Sequence, residues 1–374
     1  MRTDAAPDRP SPSPAGLAWR RLRRNRAAML GLLTLAFLYA CAAFGSFLAP
    51  YDPAESNLDR SGHPPTRPRF VDQAGKFHPR PFVYGMTCVD YEKQTYAIDP
   101  AKVHPITLFP KCEPYRLWWI LPLDRKLIGA AGDGYLGLLG ADSKGRDNLS
   151  RLLEGAKVSL SIGLVGITVS MGLGLLLGGL AGYFGGWTDA LTMRLVEFLL
   201  AVPSLYFIIA ARSYFQVKAG PGGAGLTSVQ LYALVILLLS LIGWAGPARV
   251  IRGMVLSTRE LEYVQAARAM GAGTMRILWL HILPNTLSYV IVASTIMVPG
   301  YILAEVGLSF LNVGIEDPNV SWGNMLNEAQ SVPIIQGQPW LLAAPGGAIF
   351  ATVMAFNFLG DGLRDALDPK HGGR

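Results

Sequence analysis

Charge is scarce in this chain. Asp, Glu, Lys and Arg make up only 16% of its 374 residues, where a soluble domain carries about a quarter. Half of the residues are apolar and they are bunched into long runs, so an ordinary soluble enzyme is excluded and a membrane chain is indicated. Histidine is scarce too. His63, His78, His104, His281 and His371 are scattered, and no pair has the spacing of metal ligands. No G-x-x-x-x-G-K-S/T loop occurs, and the glycine clusters near Gly132 and Gly220 lack the lysine that would reach a phosphate. A G-x-S-x-G nucleophile elbow is absent as well. The chain therefore has no ATP-hydrolysing or acyl-transfer chemistry of its own, and no cofactor or metal site is expected on it.

Six apolar runs are present: Ala28–Pro50, Val158–Tyr183, Leu195–Tyr214, Val229–Ile251, Thr286–Leu308 and Trp340–Leu359. Each is long enough to cross a bilayer. A lipoprotein signal around Cys41 is a poor reading of the first run, which continues well past that cysteine. Six spans give an all-α integral membrane fold with both termini on one side. The net charge of +7 is explained by the flanks of the spans and not by a nucleic-acid surface, since Arg20, Arg21, Arg23, Arg24 and Arg26 sit directly before the first run. The loop between spans four and five carries Arg252, Arg259, Arg268 and Arg276, whereas that between spans five and six has Glu316, Asp317 and Glu328 and no Lys or Arg. By the positive-inside rule the termini and the four–five loop are cytoplasmic. Residues 1–27 read as a disordered cytoplasmic N-terminus, 51–156 as a polar periplasmic insert, 157–360 as the membrane domain and 361–374 as a cytoplasmic tail. Cys88 and Cys112 both fall in the insert. Either they form a disulfide, worth roughly 3 kcal/mol through loop closure, or they are two unrelated thiols.

Within the membrane domain, span two is rich in glycine: Gly163, Gly166, Gly172, Gly174, Gly178, Gly179 and Gly182. Close helix packing explains these best. Pro203 and Pro247 should kink spans three and four. Arg194 and Glu197 have the i,i+3 spacing of an ion pair. Glu305 is an acid at membrane depth; it either faces the translocation path, as Pro203 would at its kink, or makes a structural hydrogen bond.

The most informative stretch is the loop 252–285. Ser257 and Glu260 have capping-box spacing, so a helix is expected over Glu260–Met270. Gly271 and Gly273 would stop it, and Thr274 would cap a second short helix ending at Pro284. Leu261, Val264 and Ala267 fall on one face, and the alanines keep the profile low. Such a helix suits docking into a partner's groove. An interfacial helix lying on lipid would need larger anchors and a Lys-rich face.

This loop resembles the EAA loop of ABC importer permeases, with Gln265, Ala266, Ala267 and Gly271 followed by His281, Ile282, Leu283 and Pro284 at the matching positions. Gln265 stands where the family has an acid and His281 where it has isoleucine. The run Leu139–Arg151, the turn Gly182–Asp189, Leu308-Ser309-Phe310-Leu311, Ser321-Trp322-Gly323 and the closing Asn357–Pro369 are similar to segments of the dipeptide, oligopeptide and nickel subfamily, in the order of its second, C-type subunit. The resemblance implies the type I importer permease fold and an inner-membrane location. It implies four kinds of partner: a homologous second permease, two ATP-binding subunits that carry ATP and Mg, a periplasmic substrate-binding protein, and the bilayer. It also implies ATPase coupling through Glu260, Tyr263, Gln265, Ala266, Ala267, Arg268, Gly271 and Pro284, and peptides as cargo, with nickel or opine-type substrates as alternatives. A secondary transporter would call for paired intramembrane acids or matched broken helices, and neither is evident.

Overall fold

The computed structural model describes residues 14–90, 94–118, 120–218, 228–317 and 319–368. Helix α1 (Pro14–Arg24) lies inside the stretch read as disordered, and ends at Asn25, whose side chain accepts from Ala28 N at 3.1 Å and caps α2 (Arg26–Ala43). A short helix, α3 (Gly45–Leu48), leads into the insert.

The insert is not helical. Strands β1 (Arg69–Val71), β2 (Phe77–Asp90), β3 (Thr95–Leu108) and β6 (Ile128–Ala130) form an antiparallel sheet in the order β1-β2-β3-β6, and β4 (Lys111–Leu117) and β5 (Leu121–Arg125) form a separate hairpin. The all-α expectation therefore holds for the membrane part alone. The β-branched and aromatic residues of β2 and β3 are interleaved with polar ones, which fits a pleated, half-buried surface rather than a helix face. Cys88 and Cys112 are unbonded: one sits in β2 opposite Tyr96, the other in β4 of the separate hairpin.

The membrane part is built around α4 (Asn148–Phe184), 37 residues long and so about 55 Å from end to end. It begins ten residues before the expected span, using residues assigned by sequence to the insert. Then come α5 (Gly186–Ala201) and α6 (Ser204–Lys218), α7 (Ser228–Gly243) and α8 (Ala245–Thr258). The first of these pairs bends by 91° at Val202-Pro203 and the second by 40° at Trp244. Short helices α9 (Glu262–Ala269) and α10 (Thr274–Ile277) follow, then a π-helical turn (Leu278–Ile282), a 3-10 turn (Leu283–Thr286) and α11 (Leu287–Phe310). Beyond it come α12 (Trp322–Glu328), α13 (Val332–Gly337) and α14 (Trp340–Leu367), the last running on into the expected tail as far as Leu367. Among the described residues, four helical stretches are long and apolar enough to cross a membrane, or up to six if each bent pair is one span.

Two glycine rows explain how α4 holds the bundle. A Cβ on Gly178 would stand 2.4 Å from the Ala248 carbonyl oxygen, and one on Gly182 would stand 2.7 Å from that of Arg252. Helix α8 thus rests directly on the α4 backbone. On another face, Gly163 and Gly166 receive Ile302 and Tyr301 of α11. Without water to drive apolar burial, such contact is what joins helices in lipid.

Candidate functional site

The loop after α8 folds back on the bundle at the end of α4 remote from the insert. The Ser257–Glu260 capping box does not form, because Ser257 is still inside α8. Helix α9 instead starts after an extended Leu261, which offers no side-chain cap. Its stop is as expected. Gly271 has φ +83°, Gly271 N donates to the Arg268 carbonyl at 3.0 Å and Ala272 N to that of Ala267 at 3.1 Å. That pair is a Schellman ending, which needs a residue free of the Cβ penalty at positive φ. Gly273, and not Thr274, takes the cap position of α10.

Val264 and Ala267 point into the bundle, and Leu261 is exposed instead of joining them. Tyr263, Gln265, Ala266, Arg268 and Met270 face outward, Met270 at 82% exposure. Several bonds brace the helix. Arg259 Nη1 donates to the carbonyls of Gly182 (3.2 Å) and Tyr183 (3.3 Å), closing the last turn of α4, where orphan carbonyls favour a cation. Tyr263 Oη donates to the His281 carbonyl at 3.2 Å, and Asn285 Nδ2 donates to the same carbonyl at 3.1 Å and to Tyr263 Oη. Gln265 Nε2 donates to the Glu260 carbonyl at 3.2 Å. Glu260 is exposed and pairs with Arg259, and Pro284 is exposed in the 3-10 turn. The small helix is therefore tied through Tyr263 to the turns that lead into α11, and Arg259 just before it bonds the end of α4.

At the opposite end of α4, charge is concentrated in a buried cluster. Arg146 donates to Asp142 Oδ2 (2.7 Å), Asp317 Oδ1 (3.0 Å) and Glu328 Oε1 (2.7 Å). Arg151, 1% exposed, grips Glu328 with two bonds of 2.6 and 2.9 Å and also reaches Asp142. Burial would lower the Arg146 guanidinium, but Asp142, Glu328 and Asp317 outweigh it and hold it firmly charged. Burial likewise pushes Asp317 up, yet hydrogen bonds from Lys144 and Arg146 bring it below its ordinary value. This clamp joins the turn before α4 to the segment after α11. Sequence reading matched Leu139–Arg151 as a motif without seeing its use. Asp142 is local to that motif, but Asp317 and Glu328 lie about 170 to 180 residues further on, and nothing in the sequence signals that pairing.

Two further groups lie deeper. Glu305 is fully buried, accepting from Ser159 Oγ of α4 (3.0 Å) and Ser309 Oγ (2.8 Å). Beside Pro203 a cleft of about 530 Å³ opens between α6, α7 and α11, lined by Ser204, Leu205, Leu239 and Tyr301 among others. Arg212 of α6, which sequence reading passed over, is 3% exposed and bonds Glu316 and the Asn312 carbonyl (2.7 Å). Arg194 and Glu197 do pair, at 3.2 Å.

Comparison with known proteins agrees with this architecture. Residues 174–372 match the family described as binding-protein-dependent transport system inner membrane component, and residues 13–65 match the N-terminal transmembrane domain of oligopeptide transport permease C. The dipeptide transport system permease protein DppC of Bacillus subtilis (strain 168) is 34% identical over 362 residues, covering 97% of this chain and 88% of the relative. The oligopeptide transport system permease protein OppC of Haemophilus influenzae is 38% identical over 259 residues, 67% of this chain and 78% of its own. The glutathione transport system permease protein GsiD of Pectobacterium atrosepticum is 40% identical over 232 residues, 62% and 72% of the two chains. With a family match over more than half of its length and a relative aligned across nearly all of it, the chain belongs to the inner membrane components of binding-protein-dependent transport systems, and among them to the C-type permeases of ABC importers.

Proposed function

We propose that the chain is half of the translocation pore of an ATP-driven importer for di- or oligopeptides. The relatives named for dipeptide, oligopeptide and glutathione transport support that cargo class. In this reading the helix pairs α5–α6 and α7–α8 each make one bent span, giving six, and both termini are cytoplasmic. The sheet of residues 69–130 then lies in the periplasm. A homologous second permease completes the pore, a binding protein delivers cargo to the insert side, and two ATPases carrying ATP and Mg bind at α9.

The observation that carries the coupling role is the outward face of α9. The helix is short, Tyr263 ties it to the turns before α11 through His281 and Asn285, and Arg259 just ahead of it bonds the end of α4. A push on it reaches two spans without first bending a flexible linker. Ala267, turned inward, seats the helix, while Ala266, Arg268 and Met270 offer the contact surface. The test is ATPase activity of the complex purified through a tag on this chain, with its binding protein and a panel of short peptides. Stimulation by some peptides supports both coupling and cargo. Activity blind to every peptide moves the cargo to nickel or opine-type compounds, and the absence of a copurifying ATPase overturns the proposal. Met270→Glu and Ala266→Arg should abolish stimulation while leaving the melting temperature unchanged.

A further inference from the structure

The β4–β5 hairpin of the insert ends in an apolar tip that water does not explain. The sequence there runs Leu117-Trp118-Trp119-Ile120-Leu121. Trp118, Ile120 and Leu121 are 53%, 83% and 50% exposed. This tip is fixed in height against the membrane part: Trp118 Nε1 donates to the Ala43 carbonyl at 2.7 Å, and its ring lies 5.2 Å from that of Phe44. Ala43 is the last residue of α2, whose outward residues Leu30, Leu33 and Phe37 form a continuous apolar face. The tip therefore stands where that face meets the insert, the level at which tryptophan gathers in membrane proteins. Five residues are far too few to span.

Under the tip, a groove of about 910 Å³ runs between α2 and α4. Its two ends differ chemically. Towards the membrane interior it is lined by Tyr39, Leu160, Leu164 and Val165; at the insert end it holds Ala42, Arg116 and Lys157. Lys157 and Val165 are eight residues apart on α4, about 12 Å along its axis. Lys157 is already neutralised by Glu154 at 2.7 Å, so the net positive charge is that of Arg116. Arg116 has no hydrogen-bond or ion-pair partner among the described residues. A cation above an apolar trough whose α4 wall, Leu164 and Val165, is exposed, is complementary to one class of molecule.

We propose that this groove holds an anionic phospholipid of the leaflet on the insert side, with its phosphate at Arg116, an acyl chain along α4 and the hairpin tip embedded beside it. The lipid fixes the insert at a set height over the pore. A covering of protein, such as the second permease, is the competing occupant. The inference needs only that the chain spans a membrane, so it stands or falls separately from the cargo and the coupling role.

The assembled complex is placed in nanodiscs containing phosphatidylglycerol, with a spin label at Ile120→Cys or at Asp124→Cys on the hairpin arm, Cys41, Cys88 and Cys112 being replaced by serine. Relaxation by oxygen, which dissolves in lipid, should dominate at position 120, and relaxation by a water-soluble nickel chelate at 124. Nickel relaxation at 120 equal to that at 124 overturns the proposal by leaving the tip in water. Protection of 120 from both agents overturns it by putting protein there. Native mass spectrometry supplies the second reading. Arg116→Gln should retain phosphatidylglycerol about fivefold less than the wild type, the weight of one cation at a membrane surface. Equal retention removes the headgroup assignment.

Discussion

Asp147 and His63 should give the stability of this chain two opposing pH dependences that nearly cancel in the wild type. Asp147 caps α4 from a buried position, accepting from Ser150 N (2.8 Å), Ser150 Oγ (2.7 Å) and Tyr135 Oη (2.9 Å). Burial outweighs those bonds and raises its carboxyl from 3.8 to about 6. The folded chain then binds this proton more tightly than the unfolded one, so stability rises as pH falls from 6 towards 4. His63, 4% exposed and packed against Tyr96 and Tyr135, is lowered by burial from 6.5 to about 4. Here the unfolded chain binds the proton first, so stability falls over nearly the same interval. With about 1.4 kcal/mol per pKa unit, each effect amounts to about 3 kcal/mol between pH 7 and pH 4. Asp147→Asn keeps a good cap and removes the first effect, so this variant should lose stability on acidification. His63→Phe keeps the ring contacts and removes the second, so it should gain. Melting temperatures of the wild type and both variants in one detergent from pH 7 to pH 4 decide the matter. Parallel curves for all three would refute the reasoning, as would slopes of the opposite sign.

Three more outcomes follow from contacts in the membrane part. Gly178→Ala drives a Cβ into the α8 backbone and should cost about 1–3 kcal/mol by overpacking; Gly172→Ala, with no atom within 4 Å, should be neutral or stabilising, and equal melting temperatures would contradict the α4–α8 contact. Arg151→Gln leaves Glu328 and Asp142 short of a buried partner and should destabilise by about 3–5 kcal/mol in thermal denaturation. Gly271→Pro can neither adopt φ +83° nor donate to Arg268, so it should abolish uptake while the protein still inserts; wild-type uptake would remove α9 from the coupling route.

The Arg146–Arg151 clamp and the α9 loop lie at opposite ends of one helix. Helix α4 touches both, through Arg151 at its start and through the Gly182 and Tyr183 carbonyls at its end. Its glycine rows bring the α8 backbone against its own and seat the Tyr301 and Ile302 side chains of α11, so a displacement at one end is passed on through close packing.

The sequence by itself determined the apolar runs, the glycine stop after α9, the break at Pro203 and the family. Each of these is written locally: run length sets a span, a glycine permits positive φ, and a proline removes a backbone donor. It misplaced the start of α9, because Ser257 and Glu260 have capping spacing whether or not α8 has already ended. Composition did not distinguish a β insert from a polar loop, since alternation in β2 and β3 is interrupted by prolines and bulges. Only the tertiary structure decided which charges are buried, which face of α9 is open, that Glu305 is satisfied by Ser159 and Ser309, and that Cys88 and Cys112 lie in different sheets. All four depend on segments brought together across tens to hundreds of residues, and the energy of a charge or a thiol is set by what packs against it, not by its neighbours in the chain.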